Sequence, residues 1–161
     1  CRFWSGSEII YVAGLTETFV KQRANEAGVA RPVTADDSAS WVLRTASGVA
    51  ATITLSTVAY HGAGHLAQLT GSEGTLLLTG ETKLELGKPG GPLEDISAPD
   101  DLSGTMKPDT MWARSFVRLL REMVRVITGE SPQGEPATFR DGWQVQRVLD
   151  AVRGGRGVRL D

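Results

Sequence analysis

The chain has 161 residues, 40% of them hydrophobic and 22% charged, with a formal net charge of −2. That balance suits residues 1–161 forming a single globular domain with a real core, and the near-neutral charge leaves no electrostatic footprint for nucleic acid. One cysteine, Cys1, excludes an internal disulfide or a cysteine-rich metal site, no apolar run reaches the ~20 residues of a membrane helix, and the composition fits a reducing, cytoplasmic setting.

In chain order, Arg2 to Trp4 reads as the last turn of a helix, with Gly6 as its stop. Glu8 to Phe19 alternates loosely, is rich in Ile, Tyr, Val and Thr, and predicts a long strand. Residues 20–39 are polar, hold Gly28 and Pro32, and read as a connection. Ser40 to Ala46 predicts a second strand, Ser47 and Gly48 a tight turn, and Val49 to Val58 the hairpin partner. In that partner Val49, Ala51, Ile53 and Leu55 share one face, and Ala50, Thr52, Thr54 and Ser56 the other. After the break at "YHGAGH", residues 66–70 and 75–79 predict a hairpin around "GSEG", and 83–86 a further short strand. Residues 87–109, dense in Pro, Gly and Asp, form a long loop.

Two helices follow. From Thr110 to Thr128, Trp112, Phe116, Leu119, Leu120, Met123 and Ile127 repeat at three-and-four spacing and should face a core. Arg114, Arg118, Arg121 and Arg125 lie opposite and read as a solvated face. From Phe139 to Arg153, Thr138 is the N-cap and Asp141 makes a near capping box, with Val145, Val148, Leu149 and Val152 as the buried stripe. Gly142 in its first turn weakens the helix and asks for something packed close by. "GGRG" stops it, and residues 158–160 return as a strand. The expected class is α+β: an open, mostly antiparallel β-sheet with helices packed on one face.

The chemistry in the residues is mostly negative. There is no G-x-G-x-x-G after a strand, no Walker spacing in "GKPGGP" and no G-x-S-x-G elbow. His61 and His65 sit four apart, but Gly62 and Gly64 argue against the helix that would make them a zinc pair. Asp36 and Asp37 point to opposite sides of an extended chain and so do not share a proton; a turn or strand-entry role is expected, and Glu73 reads as a turn residue. Trp41 reads as sheet or core packing. No catalytic constellation is complete, and no cofactor-binding or metal-binding residue is assigned.

Three segments in order resemble the C-terminal domain of the Gfo/Idh/MocA oxidoreductases, the relatives of glucose–fructose oxidoreductase and inositol dehydrogenase. They are "VTADDSASWVLRTASGVAATITLS", "LTGSEGTLLL" and "FRDGWQVQRVLDAV" followed by "GRGVRL". The resemblance implies that a Rossmann domain binding NAD or NADP, a catalytic lysine and a helix bearing an Asp and a His precede Cys1 in the parent protein. By this reading the chain is the substrate and oligomerisation half. It is expected to be inactive alone and to bind no cofactor.

The resemblance further implies substrate contacts from loops at one end of the sheet. The candidates are Tyr60, His61 and His65, then Trp112 and Arg114, then Lys21 and Arg23. It also implies a homo-oligomer paired through the sheet face, with Thr52 and Thr54 in or near the contact. The parent reaction is hydride transfer between a sugar, polyol or similar secondary alcohol and nicotinamide. The alternative from another class is a free-standing α+β binding or interaction domain with no redox partner.

Overall fold

The computed structural model describes residues 1–62, 64–155 and 157–160. Ala63 of "YHGAGH" and Arg156 of "GGRG" lie outside the described residues. The class is α+β, and every strand pairing described is antiparallel. The strands do not form one meander: two four-stranded sheets and a two-stranded hairpin share them. The chain divides into two compact units, Cys1–Tyr60 with Thr138–Asp161, and His61–Ala137.

The first unit opens with α1 (Arg2–Ser5), stopped by Gly6 in the left-handed conformation at φ 58°, which only glycine adopts without a Cβ clash. Its sheet contains β1 (Ile9–Glu17), β4 (Ser38–Thr45), β5 (Ala50–Ser56) and β10 (Val158–Arg159), in the order β10-β1-β4-β5. The register of β1 against β4 shifts between Ile9 and Tyr11. This bulge puts both Ile9, opposite Thr45, and Val12, opposite Leu43, on the core side. It explains why the alternation of this segment is loose in the sequence.

Trp41 stands opposite Gly14, where any Cβ would run into the Trp41 side chain and the Ser40 carbonyl. The glycine makes room for the indole. The helix α3 (Phe139–Arg153) covers this face, and Val12, Trp41, Leu43, Val148, Ala151 and Val152 form the core. Val148 and Val152 are buried as the stripe predicts, and Leu149 is half-buried, but Val145 is exposed: the covered face of α3 is centred on its last two turns. The opposite sheet face carries Leu15, Ser40, Val42, Thr52 and Thr54 and meets no helix of this unit.

Two polar devices fix the ends of this unit. Thr138 and Asp141 form a complete capping box: the Asp141 amide donates to Thr138 Oγ1 at 3.3 Å, and the Thr138 amide donates to Asp141 Oδ2 at 2.8 Å. Arg2 donates to both Glu8 oxygens at 2.7 Å and, through its remaining terminal nitrogen, to Asp141 Oδ1 at 2.7 Å. The bonds from Thr138 and Arg2 hold the Asp141 carboxyl well below its ordinary range. Nothing lies within 4 Å of a Cβ position at Gly142, so the packing expected there is not found.

Residues 20–39 are more ordered than a plain connection. They contain the hairpin of β2 (Gln22–Ala24) and β3 (Ala30–Pro32), exposed throughout. Asn25 organises its turn by accepting the amides of Ala27 and Val29. Buried Asp37 accepts the amides of Phe19 at 3.0 Å and Val20 at 2.8 Å, which lowers its carboxyl pKa. The expected turn role is therefore met by a carboxylate that staples the end of β1.

The second unit holds β6 (Leu66–Gly71), β7 (Gly74–Thr79), β8 (Lys83–Gly87) and β9 (Leu93–Asp95) as a simple meander, then α2 (Met111–Ile127). β9 lies inside the segment read as loop; its Glu94, Asp95 and flanking Pro92 hide the strand signal. Thr110 caps α2, its side chain accepting the Ala113 amide.

The faces of α2 depart from the expectation: of the apolar stripe Leu119 is half-buried, and Arg118 and Arg121 stay exposed as expected. Arg114 is buried at 9% exposure, while Trp112, Phe116, Leu120, Met123 and Ile127 are exposed. The reason is local. The loop before α2 offers Asp100, Asp101 and Asp109, and the arginine stripe pairs with them instead of with water. Leu102, in the same loop, is the buried hydrophobic residue among the described residues of this unit.

Candidate functional site

The stretch after β5 is built by backbone constraints. The Thr57 amide and hydroxyl both donate to the Asp37 carbonyl, at 2.9 and 3.2 Å, which fixes where β5 ends. Tyr60 then projects almost wholly into solvent, 94% exposed. His61 has φ 56° and is the one non-glycine at positive φ among the described residues. Histidine tolerates this region better than most residues, yet the conformation still costs free energy. His65 precedes β6, and its carbonyl accepts the Gly80 amide at 2.8 Å, which closes the β6–β7 hairpin. Tyr60 belongs to the first unit, and His61 and His65 to the second.

The other sequence candidates occupy different places. Trp112 lies exposed in the first turn of α2. Arg114 points to the other side, 3.4 Å from Asp100 and 3.3 Å from Asp109. Arg118 bonds Asp100 at 2.6 Å, and Asp100 also accepts the Leu102 amide at 2.9 Å. These bonds lower the Asp100 carboxyl pKa, the arginine first. Three aspartates and two arginines thus hold residues 100–109 to α2.

Lys21 pairs with Glu17 at 3.0 Å. Arg23 on β2 stands directly opposite Arg31 on β3. Thr54 accepts a bond from the Ser40 hydroxyl at 3.3 Å, and Thr52 stands opposite Val42 on the same face.

Among the described residues no group of three or more His, Cys, Asp or Glu is placed to hold a metal, and no helix is long and apolar enough to cross a membrane. The sequence reading missed the Arg2–Glu8–Asp141 clamp. Its local half was legible, since an arginine in a terminal helical turn precedes a glutamate by six residues. The partner 139 residues away gave no local signal.

The sequence matches, over residues 1–154, a family model described as the oxidoreductase family, C-terminal alpha/beta domain. The chain belongs to the Gfo/Idh/MocA oxidoreductase family.

Its curated relatives include glucose-fructose oxidoreductase domain-containing protein 2 of Xenopus laevis, 30% identical over 158 residues. That match spans 88% of this chain and 40% of the relative. The Bos taurus protein of the same name is 27% identical, over 92% of this chain and 42% of the relative. Among solved structures, an oxidoreductase domain protein from Kribbella flavida shares the fold with a TM-score of 0.78 at 24% identity, covering 99% of this chain and 46% of that one. An NAD binding oxidoreductase from Klebsiella pneumoniae gives 0.77 at 22%, covering 99% and 47%. Levoglucosan dehydrogenase, in complex with NADH and L-sorbose, gives 0.71 at 16%, covering 96% and 45%. The chain therefore spans less than half the length of these relatives.

The family implies a dinucleotide, and the described residues of this Gfo/Idh/MocA domain do not form the Rossmann site that would hold one. A Rossmann dinucleotide site is built on parallel strands and a glycine-rich turn leading from a strand into a helix. Here the pairings described are antiparallel, and α2 and α3 start from threonine caps after irregular loops. No step of hydride transfer is assigned to residues of this chain.

Proposed function

We propose that this Gfo/Idh/MocA domain is the substrate-side and subunit-pairing half of an NAD(P)-dependent oxidoreductase acting on a sugar, polyol or similar secondary alcohol in the cytoplasm. The observation that carries the reading is the family match over residues 1–154. Relatives of the same fold support the substrate class: one is an aldose-aldose oxidoreductase from Caulobacter crescentus, and another is levoglucosan dehydrogenase in complex with NADH and levoglucosan. In this reading Tyr60, His61 and His65 contact the substrate. A phenol and two imidazoles supply both donors and acceptors for hydroxyl groups, with aromatic faces for the C–H surface of a sugar ring. Trp112 adds a further aromatic face, and Arg114 acts through the loop that it holds. Lys21 and Arg23 are peripheral contacts. The part of the open sheet face around Ser40, Val42, Thr52 and Thr54 carries no charged side chain and pairs with a second subunit, because depletion of charge marks the centre of an interface.

The test uses the full-length enzyme that carries this domain. NAD(P)-coupled oxidation is assayed over a panel of aldoses and cyclic polyols. His65→Ala and Tyr60→Ala should each raise substrate KM about tenfold, the loss of roughly one good hydrogen-bonded contact, with cofactor KM unchanged. Equal KM values in the variants and wild type would remove these residues from the site. Thr54→Asp should shift the assembly toward monomer in sedimentation, since it would bury a carboxylate without a partner.

A further inference from the structure

The open face of the first sheet carries one feature that the family reading does not use. β10, β1 and β4 are neighbours, and their register sets Arg159, Tyr11 and Arg44 in one row. The row is on the side away from Val12 and Leu43, because adjacent strand residues face opposite ways. Together with Ile10 and Gly157 these three side chains line a pocket. Its floor is fitted: a Cβ at Gly157 would run into the Tyr11 hydroxyl and ring, so the phenol lies directly over glycine backbone.

Arg2, Arg114, Arg118, Arg121, Arg125 and Arg153 each meet a carboxylate. Arg44 and Arg159 form no ion pair with a described carboxylate, nor do Arg23, Arg31 and Arg140, but Arg44 and Arg159 line one pocket together. They flank the same tyrosine, roughly 10 Å apart across two strand spacings. The chain as a whole is slightly acidic, so this unpaired pair is a local arrangement and not a basic surplus. Two guanidinium groups, which can only donate, stand on either side of a phenol O–H that can donate a third bond. Planar guanidinium donors match carboxylate and phosphate oxygens in pairs.

We propose that Arg44, Tyr11 and Arg159 form a receptor for an oxyanion, a phosphate or carboxylate group. The group comes either from a free small anion or from a carboxylate of a second copy laid on this face. The proposal does not depend on the substrate reading above.

Two measurements on the chain decide it and separate the sources. The first is calorimetric titration with inorganic phosphate at constant ionic strength. For a free anion, the wild-type chain binds phosphate at millimolar concentration or tighter, and R44Q/R159Q weakens that binding at least tenfold. R44K/R159K, which keeps both charges but not the paired donors, falls between them. The second is sedimentation over a range of chain concentrations. For a carboxylate of a second copy, R44Q/R159Q weakens self-association at least threefold, and added phosphate competes with it. Phosphate binding unchanged in R44Q/R159Q overturns the proposal. So does a double variant that neither loses phosphate binding nor changes self-association. Thr54→Asp, placed away from the pocket row on the same face, reads the pairing of the sheet separately.

Discussion

The helices α2 and α3 are both amphipathic by sequence, and they use their faces in opposite ways. α3 buries Val148, Ala151 and Val152 against its sheet. α2 buries Arg114 against its own acidic loop and leaves Trp112, Phe116 and Ile127 exposed. Periodicity states which side of a helix is apolar; it does not state what the surrounding chain offers to cover either side. A sheet with a free apolar face selects the stripe, as in the first unit. A loop holding Asp100, Asp101 and Asp109 selects the arginines, as in the second.

The comparison breaks most visibly at two tryptophans. Trp41 is 8% exposed and Trp112 is 73% exposed. Trp41→Ala should cost about 3–5 kcal/mol of unfolding free energy in urea, the usual loss for a large core aromatic. Trp112→Ala should cost less than about 0.5 kcal/mol. Equal losses would mean that the two helices do not differ in the way described. Trp41→Phe sharpens the point. The buried Trp41 Nε1 has no hydrogen-bond partner among the described residues, so removing it should relieve part of what the lost ring volume costs.

A smaller effect separates two arginines of one stripe. Arg114→Ala should destabilise by about 1–3 kcal/mol, below the usual loss for a fully buried pair because its aspartates keep partial access to water. Arg121, 57% exposed with an Asp101 contact of 3.7 Å, should give less than about 0.5 kcal/mol on the same change. If the stripe were simply solvated, both would be neutral.

The two units share an acid response, and one variant pulls it apart. Asp141 and Glu8 in the first unit and Asp100 in the second all have lowered carboxyl pKa values in the folded chain. A depressed folded pKa contributes stability that is present above the unfolded value and lost as pH falls through the folded one. The ordinary values here are 3.8 for the aspartates and 4.5 for the glutamate, so the loss should begin near those values and continue downward. Asp141→Asn should flatten the slope for α3 amides in hydrogen exchange between pH 5 and about 2, and leave the slope for α2 amides as it was.

The smallest effect has the opposite sign. Gly142→Ala in α3 should stabilise by about 0.5–1 kcal/mol, since the Cβ meets open space and the unfolded chain loses freedom.

Much of the fold was readable because its signals are local. The Ser47–Gly48 turn, the "GSEG" hairpin, the threonine cap at Thr138 and the closing strand each sit within a few residues of their cause. What escaped depended on partners distant in sequence. The orientation of α2 follows from aspartates up to 18 residues away. The buried end of α3 is set by where β1 and β4 lie beneath it, so Val145 gave the same local signal as Val148. The hairpin of β2 and β3 and the short β9 carry polar residues on exposed strands, where pattern reading has no apolar face to follow. Of the candidate site, the residue types were legible from the stretch itself. Their geometry was not: the left-handed backbone at His61 has no marker beyond the glycines around it.

The way the first unit is assembled from two separated stretches bears on how the chain is made. Its strands β1, β4 and β5 leave the ribosome before the second unit, while α3 and β10 follow only after all of His61–Ala137. At roughly 5–20 residues per second the interval is several seconds or more. Throughout it Trp41, Leu43 and Val12 have no helix to cover them. During that wait the nascent sheet is exposed on both faces, and the second unit, a continuous stretch, can complete its local pairings before the first can close. Of the two units, the one whose strands are made first is therefore the last to be finished.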